Sequence, residues 1–441
     1  MAKNEKSYVI IAGDKKTADY IQSRVFYLTD ELSICFISSK GWQGRVEKAI
    51  TDIENPVVLM SAFNIEDSWP VTLVEQSQKK GLFLLWDSIS YQKDDNADES
   101  GWLFNEILSN RGAVKSDSLD MLIEYAHLFK KTSKDKVRTA GVKKGRSEIL
   151  KRLDSLLKES IVNNKPDIVL NPGTDSYITA AGKSFDIKMK SSIKDICEAV
   201  SVLCKSNQTV HNVKAPDIII KDEELALIVM PPKRVLSEIT SKRILDGFGL
   251  EFPIEKICSS SSSAINFLKE QGESIVLKLV KPALTDKETM GAVIKDLSSS
   301  SSIRQAFHHL LELSKVNSPP QSLGIMACCQ IKYEKSFWIK LAFGPLKLPM
   351  LIIGRGDCKD NNRVTAIDVH LDFNMIMEMI ANNFKELDSD ENYNFAVAVY
   401  KISAAVKKLE DSMFMLEIHP LVLSDKRQAL VLDALIGIGE S

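Results

Sequence analysis

Short apolar runs alternate with amphipathic, helix-length segments through the first 130 residues. YVIIA (8–12), LSICFIS (32–38), VVLM (57–60) and LFLLW (82–86) are rich in β-branched and aromatic side chains and predict strands. VEKAITDI (46–53) and VTLVEQSQKK (71–80) space their apolar residues three and four apart and predict helices. Strands separated by helices point to a parallel sheet covered on both faces. A polar stretch, SISYQKDDNADES (88–100), leads into two further predicted helices, WLFNEILSNRG (102–112) and LDMLIEYAHLFKK (119–131).

The pattern loosens from 131 to 232. SEILKRLDSLLKES (147–160) and IKDICEAVSVLC (193–204) read as helices, and PDIVLNPGTDSY (166–177) as a strand and turn. APDIIIKDEELALIVMPP (215–232) reads as two strands around a charged turn. The pattern sharpens again in VLSEITSKRILDGFGLEFP (235–253), a helix punctuated by Gly and then Pro, as helix C-termini are. Two serine runs, Ser259–Ser263 and Ser298–Ser302, precede the amphipathic segments AINFLKEQG and IRQAFHHLLELS. They read as helix caps and loops, because Ser is a good N-cap. The expected organisation is α/β throughout. It has a parallel-sheet domain over 1–130, a linker helix and small α/β region over 131–232, and a last domain over 233–441.

Composition narrows the function classes. The chain has 441 residues, 44% hydrophobic and 26% charged, which suits two or three globular domains. Its 57 basic and 59 acidic residues leave a net charge of −2 with no basic block, so nucleic acid is not the expected partner. The N-terminus, MAKNEKSYVIIAGDKK, does not read as a signal peptide, and no apolar run reaches membrane-span length. Seven scattered cysteines, with no CxxC, fit a reducing, cytoplasmic setting. His308 and His309 are adjacent on a predicted helix and therefore point different ways, which argues against a metal pair.

Three features carry candidate chemistry. Lys278 sits inside the apolar run SIVLKLV, followed by a Pro-containing loop, Gly291 and a second strand. A strand lysine there either faces solvent or reaches toward an anion such as a nucleotide phosphate, since a buried ammonium needs a partner. LEIHPLVL (416–423) and ALVLDALIGI (429–438) flank the turn SDKRQ and predict a hairpin. Its acids, Glu417 and Asp433, need either a divalent cation or a basic side chain opposite them.

Together these segments resemble the ATP-grasp domain of the ADP-forming acyl-CoA synthetases, relatives of succinyl-CoA ligase. LSEITSKRILDGFGLEFP is similar to that family's opening helix, L-x-E-x-x-S-K-x-x-L-x-x-[YF]-G-[IL]-x-x-P. SIVLKLVKPALTDKETMGAV resembles V-V-L-K-I-x-S-P-x-I-x-H-K-S-D-x-G-G-V, and FGPLKLPMLIIGRG resembles F-G-P-V-V-M-F-G-L-G-G. LEIHPL and LVLDALI resemble L-E-I-N-P-L and A-L-D-A-R-I. Residues 7–128 resemble a flavodoxin-like domain of the same synthetases, and the family's CoA-binding domain is expected to be missing. The resemblance implies that Lys278, Gly354 and Gly356 bind ATP. It further implies that Glu417, with His419 and Asp433, binds Mg2+.

Departures from the family pattern accompany these matches. Where the family carries its relay histidine, in S-H-T-G-A-L-A-G, this chain has YQKDDNAD (91–98). A second histidine position is Asp286, the metal-binding Asn is His419, and the Arg of A-L-D-A-R-I is Leu435. G-L-G-G has become Gly354-Arg355-Gly356-Asp357, and the first flavodoxin loop S-Q-S-G is replaced by Ala12-Gly13-Asp14-Lys15. The expected function is a divergent ATP-dependent, ADP-forming ligase that activates a small carboxylic acid for transfer to a thiol or amine. The alternatives are a non-catalytic binding or regulatory subunit on the same fold, or one chain of a split synthetase. A partner subunit or a homo-oligomer fits any of the three.

Overall fold

The computed structural model describes residues 8–12, 15–25, 32–36, 42–53, 56–61, 74, 82–86, 99–132, 140–142, 168–171, 176–179, 184–186, 195–196, 198–200, 202, 213–218, 220, 233–280, 290–316, 324–343, 348–356 and 362–439. The chain divides into two compact units, Met1–Val210 and His211–Ser441.

In the first unit, strands β1 (Tyr8–Ala12), β2 (Leu32–Phe36), β3 (Val57–Ser61), β4 (Leu82–Trp86) and β5 (Val114–Ser116) form one sheet. Every pairing is parallel and the order is β2-β1-β3-β4-β5, the flavodoxin-like order. All five residues of β3 are buried, as expected of a parallel strand covered on both faces. Helices α1 (Lys15–Val25), α2 (Trp42–Asp52), α3 (Glu99–Asn110) and α4 (Leu119–Thr132) accompany the sheet. Ile10, Leu59 and Leu84 of the strands pack with Ile21 and Val25 of α1 and Leu122 and Ala126 of α4. A second small sheet runs β6-β7-β8-β9, from β6 (Ala140–Val142) through β7 (Ile168–Asn171) and β8 (Ser176–Thr179) to β9 (Ser184–Asp186).

The second unit contains two antiparallel sheets. Its elements begin with β10 (Arg234–Val235), α5 (Glu238–Asp246), β11 (Glu255–Cys258), α6 (Ser261–Gln271), β12 (Ile275–Val280), β13 (Val293–Leu297), α7 (Ser300–Val316) and β14 (Gly324–Cys329). They continue with β15 (Tyr333–Phe343), β16 (Pro349–Arg355), β17 (Arg363–Asp368), α8 (Phe373–Asn383) and α9 (Ser389–Lys408). The last three are β18 (Met413–Ser424), β19 (Ala429–Val431) and β20 (Ala434–Ile438). The smaller sheet is β11-β14-β12-β13, packed on α6 and α7 through Ile275, Leu277, Phe267, Ile303 and Leu310. The larger is β10-β20-β18-β15-β16-β17, with β19 also paired to β18. Its core centres on Phe337, Phe384 and Phe395, whose ring centroids lie 4.3–5.4 Å apart.

Local chemistry explains the helix starts. Ser260 accepts a hydrogen bond from the Ser263 amide and caps α6, so the serine run straddles the helix start rather than preceding it. Ser299 likewise accepts from the Ser302 amide at the start of α7. Asp388 and Glu391 form a reciprocal capping box on α9. No described helix is long and apolar enough to cross a membrane.

Candidate functional site

Alternation along β12 decides where Lys278 points. Ile275, Leu277 and Leu279 enter the helix-backed core, so Val276, Lys278 and Val280 face the other way. On that side Val276 and Val280 pack with Met326, Cys328 and Ile239 of α5. Lys278 is 9% exposed, which removes the solvent-facing alternative. Its ammonium donates to the Leu432 carbonyl at 2.7 Å and lies 3.5 Å from the Glu238 carboxylate. Lys278 thus reaches from the smaller sheet to the link between β19 and β20 of the larger one.

Glu238 is 1% exposed and is the first residue of α5. One turn on, Lys242 lies 2.8 Å from it and donates to Glu255 of β11 at 2.8 Å. Two lysines and two glutamates therefore form a charge-balanced cluster, bordered by the Cys328 thiol 3.7 Å from Glu255. Burial alone works against the Lys278 ammonium. The Glu238 carboxylate, then Cys328, Asp433 and Glu255, outweighs it and holds the lysine's pKa above its ordinary value. Lys242 is raised in the same way: burial and Lys278 oppose its charge, and Glu238 and Glu255 favour it. Burial pushes the Cys328 thiol up to about 12 although both lysines pull it down.

The larger sheet supplies the other candidates. Leu416 and Ile418 enter its core, which leaves Glu417 and His419 on the opposite face. Glu417 is paired across the ladder with Lys340 of β15 on one side and Leu435 of β20 on the other. The Lys340 ammonium lies 3.7 Å from the Glu417 carboxylate. The expected second hairpin strand is broken at Leu432 and Asp433 into β19 and β20. The Asp433 carbonyl accepts from the His419 amide at 3.1 Å, which fixes this break beside β18. Among the described residues no group of three His, Cys, Asp or Glu side chains is placed to hold a metal ion.

Gly354 lies directly across from Trp338, and a Cβ there would overlap the indole ring. This glycine is the seat of a buried aromatic side chain. The Trp338 indole nitrogen is buried and has no hydrogen-bond partner among the described residues. Gly356 has φ +64, a left-handed conformation that favours glycine, and donates its amide to the Ser336 carbonyl at 2.9 Å. Gly13, Asp14, 91–98, Asp286 and Asp357 lie outside the described residues.

The candidates do gather in one unit. Lys278 contacts Leu432, Asp433 contributes to the field at Lys278, and His419 and Asp433 are joined through their main chains. Sequence reasoning missed Glu238, Lys242, Glu255, Trp338 and Lys340. The signal for the first two was present in LSEITSK, but an i,i+4 Glu–Lys pair reads as a solvated helix face.

Residues 230–356 match the ATP-grasp domain family. Over 141 residues the chain is 23% identical to the beta subunit of acetate–CoA ligase [ADP-forming] I of Pyrococcus furiosus, covering 32% of this chain and 61% of that one. It is also 23% identical over 122 residues to 4-hydroxybutyrate–CoA ligase [ADP-forming] of Nitrosopumilus maritimus, covering 27% of this chain and 18% of the relative. The match thus spans less than two thirds of either relative. Among solved structures, a Pyrococcus horikoshii protein superposes with a TM-score of 0.44 at 20% identity, covering 50% of this chain and 96% of that one. The dinucleotide-forming acetyl-coenzyme A synthetase 1 of Ca. Korarchaeum cryptofilum gives 0.42 at 21%, covering 46% and 93%. The second unit of this chain carries an ATP-grasp domain related to those of the ADP-forming acyl-CoA synthetases.

Proposed function

We propose that the chain binds an adenine nucleotide in its ATP-grasp domain but does not run the synthetase reaction, and serves as a non-catalytic binding or regulatory subunit. The observation that carries this reading is the engagement of Lys278. The side chain expected to hold phosphates is tied to the Leu432 carbonyl and to a buried, charge-balanced cluster. Two further features support it. Leu435, apolar and buried, stands beside Glu417 where the family pattern has an arginine. The segment 91–98 holds no histidine to carry a phosphoryl group. A fold outlives its chemistry when such positions change, and function follows the site.

One observation favours the ligase reading instead: Lys278, Glu417 and Asp433 all lie in the second unit. In that reading Glu417, His419 and Asp433 would hold Mg2+ beside ATP, and a small acid would be activated as its acyl phosphate.

Binding and turnover separate the two. ATP at about 100 times its Kd raises apparent stability by about 2.7 kcal/mol through mass action. The expected result is a thermal shift with ATP or ADP, and no ADP release with carboxylic acids and CoA. No shift at millimolar nucleotide in a folded protein overturns the binding reading. ADP release that requires both acid and CoA overturns the non-catalytic one.

A further inference from the structure

Glu417, a carboxylate expected to bind magnesium, is met by a lysine. Lys340 Nζ lies 3.7 Å from Glu417, and Asp433 acts electrostatically on Lys278. Lys340 is part-exposed on the face of β15 opposite Phe337 and Ile339, two residues from Trp338, and its ammonium lies 5.9 Å from that ring. The neighbour of Glu417 on its other side is Leu435, which offers no donor or acceptor.

This arrangement does not fit magnesium. Mg2+ demands near-octahedral oxygen donors at about 2.0–2.1 Å and is held by carboxylates together with substrate phosphates. An ion at that distance from Glu417 would share the carboxylate with the Lys340 ammonium. His419 offers an imidazole nitrogen, a donor suited to transition metals.

We infer that Lys340 takes the place of the divalent cation, so that this site binds nucleotide di- or triphosphate without metal. The inference rests on the nucleotide-binding reading above and specifies its ionic requirement. The chemistry is suited to the task. An ammonium has three donors and no acceptor, so it can hold Glu417 with one and phosphate oxygens with the others. It bridges carboxylate and phosphate as a metal would. Being a single charge, it polarises the phosphates less, which fits binding without transfer. Lys340 and Glu417 are both part-exposed, so ligand reaches them without unfolding the strand.

The test is calorimetric titration of the full chain with ADP and ATP, in EDTA and then in excess Mg2+. The expected result is a Kd in EDTA within about twofold of that in Mg2+. Lys340→Met is expected to weaken binding in EDTA at least tenfold, with Mg2+ restoring part of it by entering the vacated place at Glu417. Lys340→Arg, which keeps the charge, is expected to retain metal-free binding, and a thermal melt of each variant verifies folding. Wild-type binding that appears only with Mg2+ overturns this inference while leaving nucleotide binding intact. A Lys340→Met protein that binds like wild type in EDTA also overturns it. Absence of binding under both conditions in folded wild type removes the nucleotide reading itself, and this inference with it.

Discussion

Replacing Glu238 by Gln keeps the shape of a buried side chain and removes one charge from a four-membered cluster. In the native protein Glu238 faces Lys242 at 2.8 Å and Lys278 at 3.5 Å. At an effective dielectric near 20, one such pair at 3.5 Å is worth roughly 5 kcal/mol of Coulomb attraction. In the intact cluster desolvation cancels most of that gain, so the pair itself is weak evidence for stability. The variant is different, because two ammonium groups then share only Glu255 within the cluster and one positive charge is left buried. Breaking a buried pair from one side costs about 3–5 kcal/mol. Urea denaturation read together with hydrogen exchange of α5 and β12 peptides localises the loss to the second unit. Adding Lys278→Met to Glu238→Gln leaves Lys242 with Glu255, a neutral pair, and should recover more than about 1 kcal/mol relative to the single variant. A Glu238→Gln loss under about 1 kcal/mol, or a double variant no better than the sum of the two single ones, would refute a coupled buried cluster.

Gly354→Ala drives a methyl group into the buried Trp338 ring and should cost about 1–3 kcal/mol as overpacking, measured as a lower urea midpoint. Cys328 is buried with its pKa pushed up to about 12, so iodoacetamide at pH 8 followed by peptide mapping should leave it unmodified in the native chain and modify it after unfolding. Because folding raises this pKa, its contribution to stability is present below the unfolded value and is lost as pH rises past it. Asp388 titrates with the opposite sign. The Glu391 backbone amide holds its carboxyl below the usual value, with Arg427 assisting, so its contribution is present above an unfolded pKa of about 3.9 and fades as pH falls through the folded one. Exchange protection at the N-terminus of α9 should therefore drop at acid pH in the wild type and be low at all pH values in Asp388→Ala.

The sequence by itself determined the α/β class, the parallel sheet of the first unit and the strands and helices that carry the ATP-grasp resemblance. Those features follow from local periodicity: YVIIA, VVLM and LFLLW cannot be solvated, and their spacing leaves room for helices between them. It also placed Lys278 on a strand and Glu417 on a hairpin. Tertiary structure alone decided what those side chains meet. Lys278 finds Glu238 from 40 residues earlier and Leu432 from 154 residues later, and no local pattern records either distance. Cross-strand register put Lys340 and Leu435 on the two sides of Glu417, and a one-residue slip would have turned them to the other face. The break at Leu432–Asp433 looked like continuous strand because its residues are apolar on both sides, and pairing with β18 interrupts it. The resemblance assigned Gly354 to ATP, and a glycine leaves no mark in the sequence of what fills the space above it. Trp338, directly across the ladder, is what fills it.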